Sequence, residues 1–97
     1  MQFEWDEWKR RENTRKHHLD FADAPDLFAG PMLVAPDERE DYGEERWIGI
    51  GFVRGRVVVV VFTERGDHSI RVISLRKALS HERARFEETL RNRLGHR

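Results

Sequence analysis

The sequence contains no cysteine in 97 residues and no apolar run long enough to cross a bilayer. Without cysteine the chain has no disulfide framework, no thiolate metal site and no cysteine nucleophile. It fits a reducing cytoplasm, which is the location we expect. Residues 1–6 are acidic and aromatic, whereas a signal peptide begins with a basic segment that an apolar one follows. We therefore expect neither a signal peptide nor a membrane partner.

The chain also lacks a net charge, with 18 basic and 18 acidic residues. Nucleic-acid enzymes are more often basic overall, so this balance counts mildly against one. The charges are nevertheless unevenly distributed, because residues 20–45 carry a net charge of −8 and residues 46–97 one of +7. This polarity predicts an anionic and a cationic face, although a solvated surface is the simpler interpretation of any single charge.

Motifs for metal ligands and phosphate-binding loops are missing as well. His17 and His18 are adjacent and therefore point to different sides of a helix, and no His-x3-His or His-Glu-x-x-His motif occurs. Gly49 and Gly51 lie inside an expected strand and not before a helix. We expect no metal site and no cofactor.

Apolar segments of the right length predict a sheet within one domain over residues 1–97. Residues 56–63 are mostly valine, which is typical of a strand buried on both faces. Residues 46–53 alternate, with glycines on a face that is thinly covered or closely approached by a neighbour. Further strands are expected at residues 3–5, 31–35 and 69–75, with tight turns at Arg54-Gly55 and Gly66-Asp67 and an acidic loop over residues 36–45.

Three helices complete the expected fold. Asp6 is a suitable N-cap for a helix that ends near His17. Asp23 as N-cap places Pro25 in the first turn of a short helix that ends at Gly30. Ser80 can cap a closing helix with a stripe of Leu79, Phe86, Leu90 and Leu94. Helices around an antiparallel meander predict an α+β fold in which one sheet has helices packed against it.

Several segments, in this order and spacing, resemble the BrnT toxins of bacterial type II toxin–antitoxin pairs, and the likeness extends from about Phe3 to about Glu88. The family usually has Lys-His-Gly at the end of the first helix, where this chain has Lys16-His17-His18. The other segments are residues 21–28, the Gly-Glu-Glu-Arg-Trp-Ile-Gly-Ile-Gly of residues 43–51, Thr63-Glu64-Arg65-Gly66, Ile70-Arg71-Val72-Ile73-Ser74, and Arg76-Lys77-Ala78 with Glu82-Arg83 and Glu87 after it.

The resemblance implies a RelE-like fold and a small ribonuclease toxin that a BrnA antitoxin neutralises. Such an antitoxin dimerises, binds operator DNA and represses its own operon. The implied complex is a 2:2 heterotetramer, in which the toxin meets operator DNA only through the antitoxin.

Cleavage of RNA without a metal requires cations that stabilise a pentacoordinate phosphorane. Arginine suits this task, because its planar fork grips two phosphate oxygens and stays charged at any working pH. Arg71 lies in an apolar strand, on the same expected face as Ile73 and Leu75, so it needs a partner. A buried ion pair with Glu64 and a contact with phosphate both remain open. The expected strands would bring together Glu64, Arg65, Arg71, Arg76 and Lys77 as the catalytic group.

The proton transfers have several candidate residues. Glu64 is the best general-base candidate, although the surrounding cations lower its basicity. His68 or His81 could be the general acid, and each could equally be a turn or capping histidine. Lys16 and His17 would reach the same phosphate if the first helix packs beside the sheet. Trp47 or Trp8 could stack on a base, but a tryptophan in a domain this small is more often part of the core.

Two functions in different classes therefore stay open, with an endoribonuclease toxin in first place. The alternative is a non-catalytic module that binds RNA or a protein through the same basic face and does not need Glu64, His68 or His81. An inactive structural subunit is a third and weaker interpretation.

Overall fold

Five strands form one sheet in the order β1-β5-β4-β3-β2 in a computed structural model, which describes residues 1–95. β1 is parallel to β5, and the other neighbouring strands are antiparallel. The domain expected over residues 1–97 thus extends two residues beyond those described. The strands are β1 (Gln2–Glu4), β2 (Leu33–Pro36), β3 (Trp47–Val53), β4 (Arg56–Arg65) and β5 (Ser69–Lys77).

The helices are α1 (Glu7–His17), α2 (Ala24–Ala29) after a 3-10 turn at Phe21–Asp23, and α3 (Ser80–Gly95). Asp6 caps α1 by accepting a hydrogen bond of 3.0 Å from the Lys9 N–H, as expected. Asp23 and Gly30 bound α2, also as expected. The predicted α+β class is confirmed, and the finer RelE-like label stays a prediction.

The main core lies between one face of the sheet and the first two helices. Phe28 of α2 packs edge-on against Phe3 at 5.3 Å and Phe62 at 5.0 Å between ring centroids. The close approach expected at the glycines of β3 is confirmed, since a Cβ on Gly51 would lie 2.7 Å from the Leu27 side chain. The buried members of this core include Leu19, Phe21, Ala24, Leu27, Val58, Val60, Phe62, Ile70, Val72 and Leu75.

The opposite face of the sheet is covered more thinly by α3. Phe86 is 1% exposed and contacts Phe52 at 5.2 Å between ring centroids. Leu79 and Leu94, which share the predicted stripe with it, are 55% and 79% exposed. Of these three, only Phe86 anchors α3 to the sheet.

The two longest strands extend beyond their predicted ends. β4 continues through Arg65 and β5 through Lys77, so the charged residues expected after the strands belong to them. β1 and β2 also differ by one or two residues from the predicted bounds. A bulge interrupts the pairing of β4 with β5, where Val61 is opposite Ser74 and Phe62 is opposite Val72.

Candidate functional site

The side chain of Asn13 fixes α1 against an open edge of β5. β1 pairs only with residues 69–71 of β5, which leaves the later part of that edge without a strand. Asn13 is 8% exposed, accepts a hydrogen bond of 3.1 Å from the Leu75 N–H and donates one of 2.8 Å to the Leu75 carbonyl. It also donates to the Leu19 carbonyl at 3.0 Å. One amide therefore takes the place of a pairing strand and holds α1 against β5.

A cationic cleft forms where the end of α1 meets the end of β5. Asn13 and His17 are four residues apart and share one helix face, so the anchored asparagine brings His17 towards the sheet. The cleft encloses about 560 Å³ and brings together four of the expected site residues. It is lined by Lys16, His17, His18, Arg76, Lys77 and Leu79.

His18 is the C-cap residue that ends α1 beside this cleft. Its backbone is left-handed, with φ 59° and ψ 30°, and its N–H donates to the Thr14 carbonyl at 2.9 Å. A residue other than glycine occupies a conformation that glycine adopts with less strain. The chain can therefore turn sharply after His17.

The charges in the cleft are held in different ways. Glu82 accepts two hydrogen bonds from Arg76, of 2.8 and 2.9 Å, and also one of 2.8 Å from the Leu79 N–H. Arg76 lowers the pKa of Glu82 to about 2, with the Leu79 N–H adding to this effect against burial. Within residues 1–95, Lys16 and Lys77 form no salt bridge. The cleft thus contains one oriented guanidinium and two ammonium groups available to an anion.

His17 is half-buried beside these cations. Burial lowers its pKa below the ordinary value of 6.5, and the charges of Lys16, Arg76 and His18 lower it further. The imidazole is therefore mainly neutral near pH 7, and the neutral form is the one that can accept a proton. A proton acceptor, one oriented guanidinium and two ammonium groups consequently line the same cleft.

Arg71 lies outside the cleft, and its expected pairing with Glu64 is wrong. Its guanidinium donates to Glu4 of β1 at 2.9 Å. Arg71 is opposite Thr63 in the ladder, whereas Glu64 is opposite Ile70, so the two side chains leave opposite faces of the sheet. Arg71 and Leu75 were expected on one face of β5, and this is wrong. The bulge lies between them, and Leu75 belongs to the main core on the side of α1 and α2.

Glu64, Arg65 and Trp47 lie at the other end of β4. They line a cleft of about 240 Å³ together with Glu44 and Glu45, and the Arg65 guanidinium is 3.9 Å from Glu44. Six ladder positions separate Arg65 from Val59, the partner of Arg76, which is about 20 Å along the strand. The expectation of one group that includes Glu64, Arg65, Arg71, Arg76 and Lys77 is therefore wrong in geometry.

Three further candidates lie away from the cationic cleft. His68 is exposed in the turn before β5, and its carbonyl accepts a hydrogen bond of 2.6 Å from the Gln2 N–H. His81 is exposed in the first turn of α3 and lines a groove with Ile48 and Phe86. Trp8 is 69% exposed on α1.

Metal sites and membrane-spanning helices are both missing from the part of the chain that the structure describes. No group of three or more His, Asp or Glu side chains within residues 1–95 is arranged to hold a metal ion. No helix in the same range combines the length and apolar character that a membrane span needs.

The sequence offered little indication of two residues that shape the cleft. Asn13 lies in the middle of a polar helix, and only its burial in the structure shows that it has a structural role. Glu82 looked like an ordinary first-turn carboxylate, although its position three residues after Leu79 fits a capping contact with that N–H.

Comparisons with known proteins agree with one another. A family model described as "Ribonuclease toxin, BrnT, of type II toxin-antitoxin system" matches residues 5–82. The crystal structure of the Brucella abortus ribonuclease toxin BrnT superposes with a TM-score of 0.68 and 35% sequence identity, covering 82% of this chain and 99% of that one. No curated protein matches the chain.

Proposed function

The chain belongs to the BrnT family of ribonuclease toxins of type II toxin–antitoxin systems, and on that premise we propose that it cleaves RNA at the cationic cleft without a metal ion. The proposal rests on one observation above all, namely that the cleft unites Lys16, His17, Arg76 and Lys77. We propose that residues 1–97 act as one domain in the cytoplasm, where the RNA substrate is found.

The proposed reaction is an attack by the RNA's own 2′-oxygen. Neutral His17 accepts the proton of the 2′-hydroxyl, and the oxygen attacks the adjacent phosphorus. Arg76 and Lys77 stabilise the charge on the phosphorane, a task for which fixed cations are well suited. The bond to the 5′-oxygen breaks, Lys16 donates a proton to that oxygen, and a 2′,3′-cyclic phosphate and a 5′-hydroxyl result.

The roles expected for Glu64 and Arg65 are not part of this proposal. Their cleft carries Glu44 and Glu45 as well, and it adjoins a larger acidic one of about 590 Å³. A phosphate there would meet more carboxylates than cations, which is unfavourable. We assign to Trp47 and His81 contacts only with nucleotides distant from the scissile bond.

A type II toxin has an antitoxin as its partner. We propose a BrnA-like antitoxin in a 2:2 complex that alone contacts operator DNA. An acidic segment of it would cover the cleft, because Lys16 and Lys77 are available to carboxylates. Light scattering of the purified complex tests the stoichiometry, and a mass other than that of two toxins with two antitoxins contradicts it.

The test uses purified protein, an RNA with defined ends and EDTA in excess. We expect fragments that end in a cyclic phosphate, and the Lys77→Ala variant should produce them at least about 100-fold more slowly. Binding without cleavage would instead favour the non-catalytic module. Cleavage that occurs only in a parallel reaction without EDTA would contradict the metal-free reaction.

A further inference from the structure

A second cationic cleft lies directly beside the first. It encloses about 370 Å³ between the β3–β4 turn, the end of β5 and the first turns of α3. Its charged lining consists of Arg56, Lys77, Arg83 and Glu87. Lys77 lines both clefts, so the two meet at this residue.

The arginines of the second cleft are available to a ligand. Arg56 and Arg83 are both exposed, and within residues 1–95 neither forms a salt bridge. Glu87 follows Arg83 by one helical turn and is the only carboxylate lining this cleft in the described chain. The local balance of three cations against one carboxylate favours an anion.

Their position is fixed by the sheet. Arg56 begins β4 at a tight turn, in which Arg54 and Gly55 both have positive φ. The Ala78 N–H donates to the Val57 carbonyl at 3.0 Å and so ties the start of α3 to β4. Arg56 and Arg83 are therefore anchored on elements that also position Lys77.

We propose that Arg56 and Arg83 bind a second phosphate of the RNA, next to the scissile phosphate in the first cleft. This inference rests on the proposed function, which assigns the first cleft to the scissile bond. Phosphates repeat along an RNA strand, so a chain of cations through Lys77 matches a backbone that crosses both clefts. The preferred substrate is then single-stranded RNA of three or more nucleotides, and a dinucleotide with one phosphate gains nothing from the second cleft.

The test measures binding separately from cleavage. A short fluorescent RNA with every 2′-hydroxyl methylated cannot be cleaved by 2′-oxygen attack, and its affinity is followed by anisotropy over a range of salt concentrations. The variant is Arg56→Gln with Arg83→Gln. The matched control is Arg85→Gln with Arg91→Gln, which removes the same charge from exposed positions on α3.

We expect the variant to bind about tenfold more weakly, and the slope of log K against log salt to fall by about 0.7, the value for one phosphate of a single strand. The control should stay within about twofold of the parent. If the double variant does not fold, Arg83→Gln alone should still weaken binding and lower the slope, by at most about 0.7.

Equal slopes for variant and control overturn the inference, and so does a parent chain that does not bind the RNA. A failure of the proposed function looks different, since the parent would then leave unmethylated RNA intact in EDTA. The slopes with methylated RNA would still decide whether the second cleft binds phosphate.

Discussion

The basic side chains differ in whether a carboxylate already pairs with them, and this decides which of them can bind an anion. Arg71 and Arg65 each have a glutamate nearby, at 2.9 and 3.9 Å, and lie away from the cationic cleft. Arg76 is paired too, but its partner Glu82 holds the guanidinium at the cleft. Lys16 and Lys77 add charge that no carboxylate of residues 1–95 bridges. The candidate site therefore combines one guanidinium held in place with two ammonium groups available to an anion.

His17 should govern the acidic limb of the pH–rate profile. Its pKa lies below 6.5 because the imidazole is buried next to cations, so the neutral base is present near pH 7 and is lost as the pH falls through that pKa. We expect kcat/KM to decline on the acid side with an apparent pKa below 6.5. The His17→Ala variant should lack this limb and cleave at least about 100-fold more slowly.

His68→Ala is the matched control, because His68 is an exposed turn histidine far from the cleft. Its profile should equal that of the parent. If the acidic limb persists in His17→Ala and disappears in His68→Ala, His17 is not the general base.

At the scale of the elements, β5 determines which side chains meet. Strict alternation would place Arg71 and Arg76 on opposite faces, but the bulge between them changes the parity. They are opposite Thr63 and Val59, which share one face of β4, at a separation of about 13 Å. The bulge therefore puts both arginines on the α3 side of the sheet without bringing them to one anion.

Asn13→Ala should destabilise the chain and impair the cleft at the same time. The change leaves the Leu75 N–H and carbonyl without their partner on an edge that has no strand, which we expect to lower the free energy of unfolding by about 2 kcal/mol. Urea denaturation measures this loss, and the position of His17 should be disturbed enough to lower kcat.

Glu12→Gln on the same helix is the comparison, since its exposed pair with Arg15 should contribute little to stability. If the two variants unfold at the same urea concentration, the docking role assigned to Asn13 is contradicted.

His18→Gly should raise stability by about 1 kcal/mol, because glycine adopts a positive φ without the strain of a side chain. Arg15→Gly, one turn earlier and within α1, should change stability by a similar amount in the opposite direction. Thermal unfolding of both proteins gives the signs, and a lower melting temperature for His18→Gly would show that the left-handed conformation is not a source of strain.

The sequence predicted the helices and strands better than it predicted the tertiary contacts between them. The cap at Asp6 and the turn at Arg54-Gly55 are local signals, and the structure confirms them. Asp23 precedes α2 as expected, but its side chain makes no capping hydrogen bond. The bulge in β5 has no glycine or proline to mark it, so a simple period of two placed Leu75 on the wrong face. The docking of α1 through Asn13 is a tertiary contact over 62 positions, which no local pattern reveals.

At the scale of the whole molecule, the charge polarity of the sequence becomes a separation in space. The acidic loop surrounds a cleft with six carboxylate residues, and the cationic clefts share none of its lining. Lys16, from the N-terminal part of the chain, joins the basic C-terminal half at the first of them. The six are Asp37, Glu38, Glu40, Asp41, Glu44 and Glu45.

Acid should destabilise the fold over a defined range. Arg76 lowers the pKa of Glu82 from 4.5 to about 2, and Arg39 lowers that of Asp37 from 3.8 to about 2. Both folded pKa values lie below the unfolded ones, so this stabilisation is complete above about pH 5 and is lost as the pH falls towards 2. Denaturant midpoints measured across this range should fall steadily.

Glu82→Gln removes one of the two groups, so its stability should be lower near pH 7 and should depend less on pH below 5. Equal slopes for parent and variant in acid would mean that the Arg76–Glu82 pair does not contribute to this dependence.

We propose that the unpaired cations beside His17 form the active centre. The most direct measurement is the rate of cleavage of one RNA in EDTA by the parent, by Lys16→Ala with Lys77→Ala, and by Arg65→Ala. The parent and Arg65→Ala should cleave at similar rates, and the lysine variant at least about 100-fold more slowly. A lysine variant as fast as the parent, together with an inactive Arg65→Ala, would move the centre to the other end of β4.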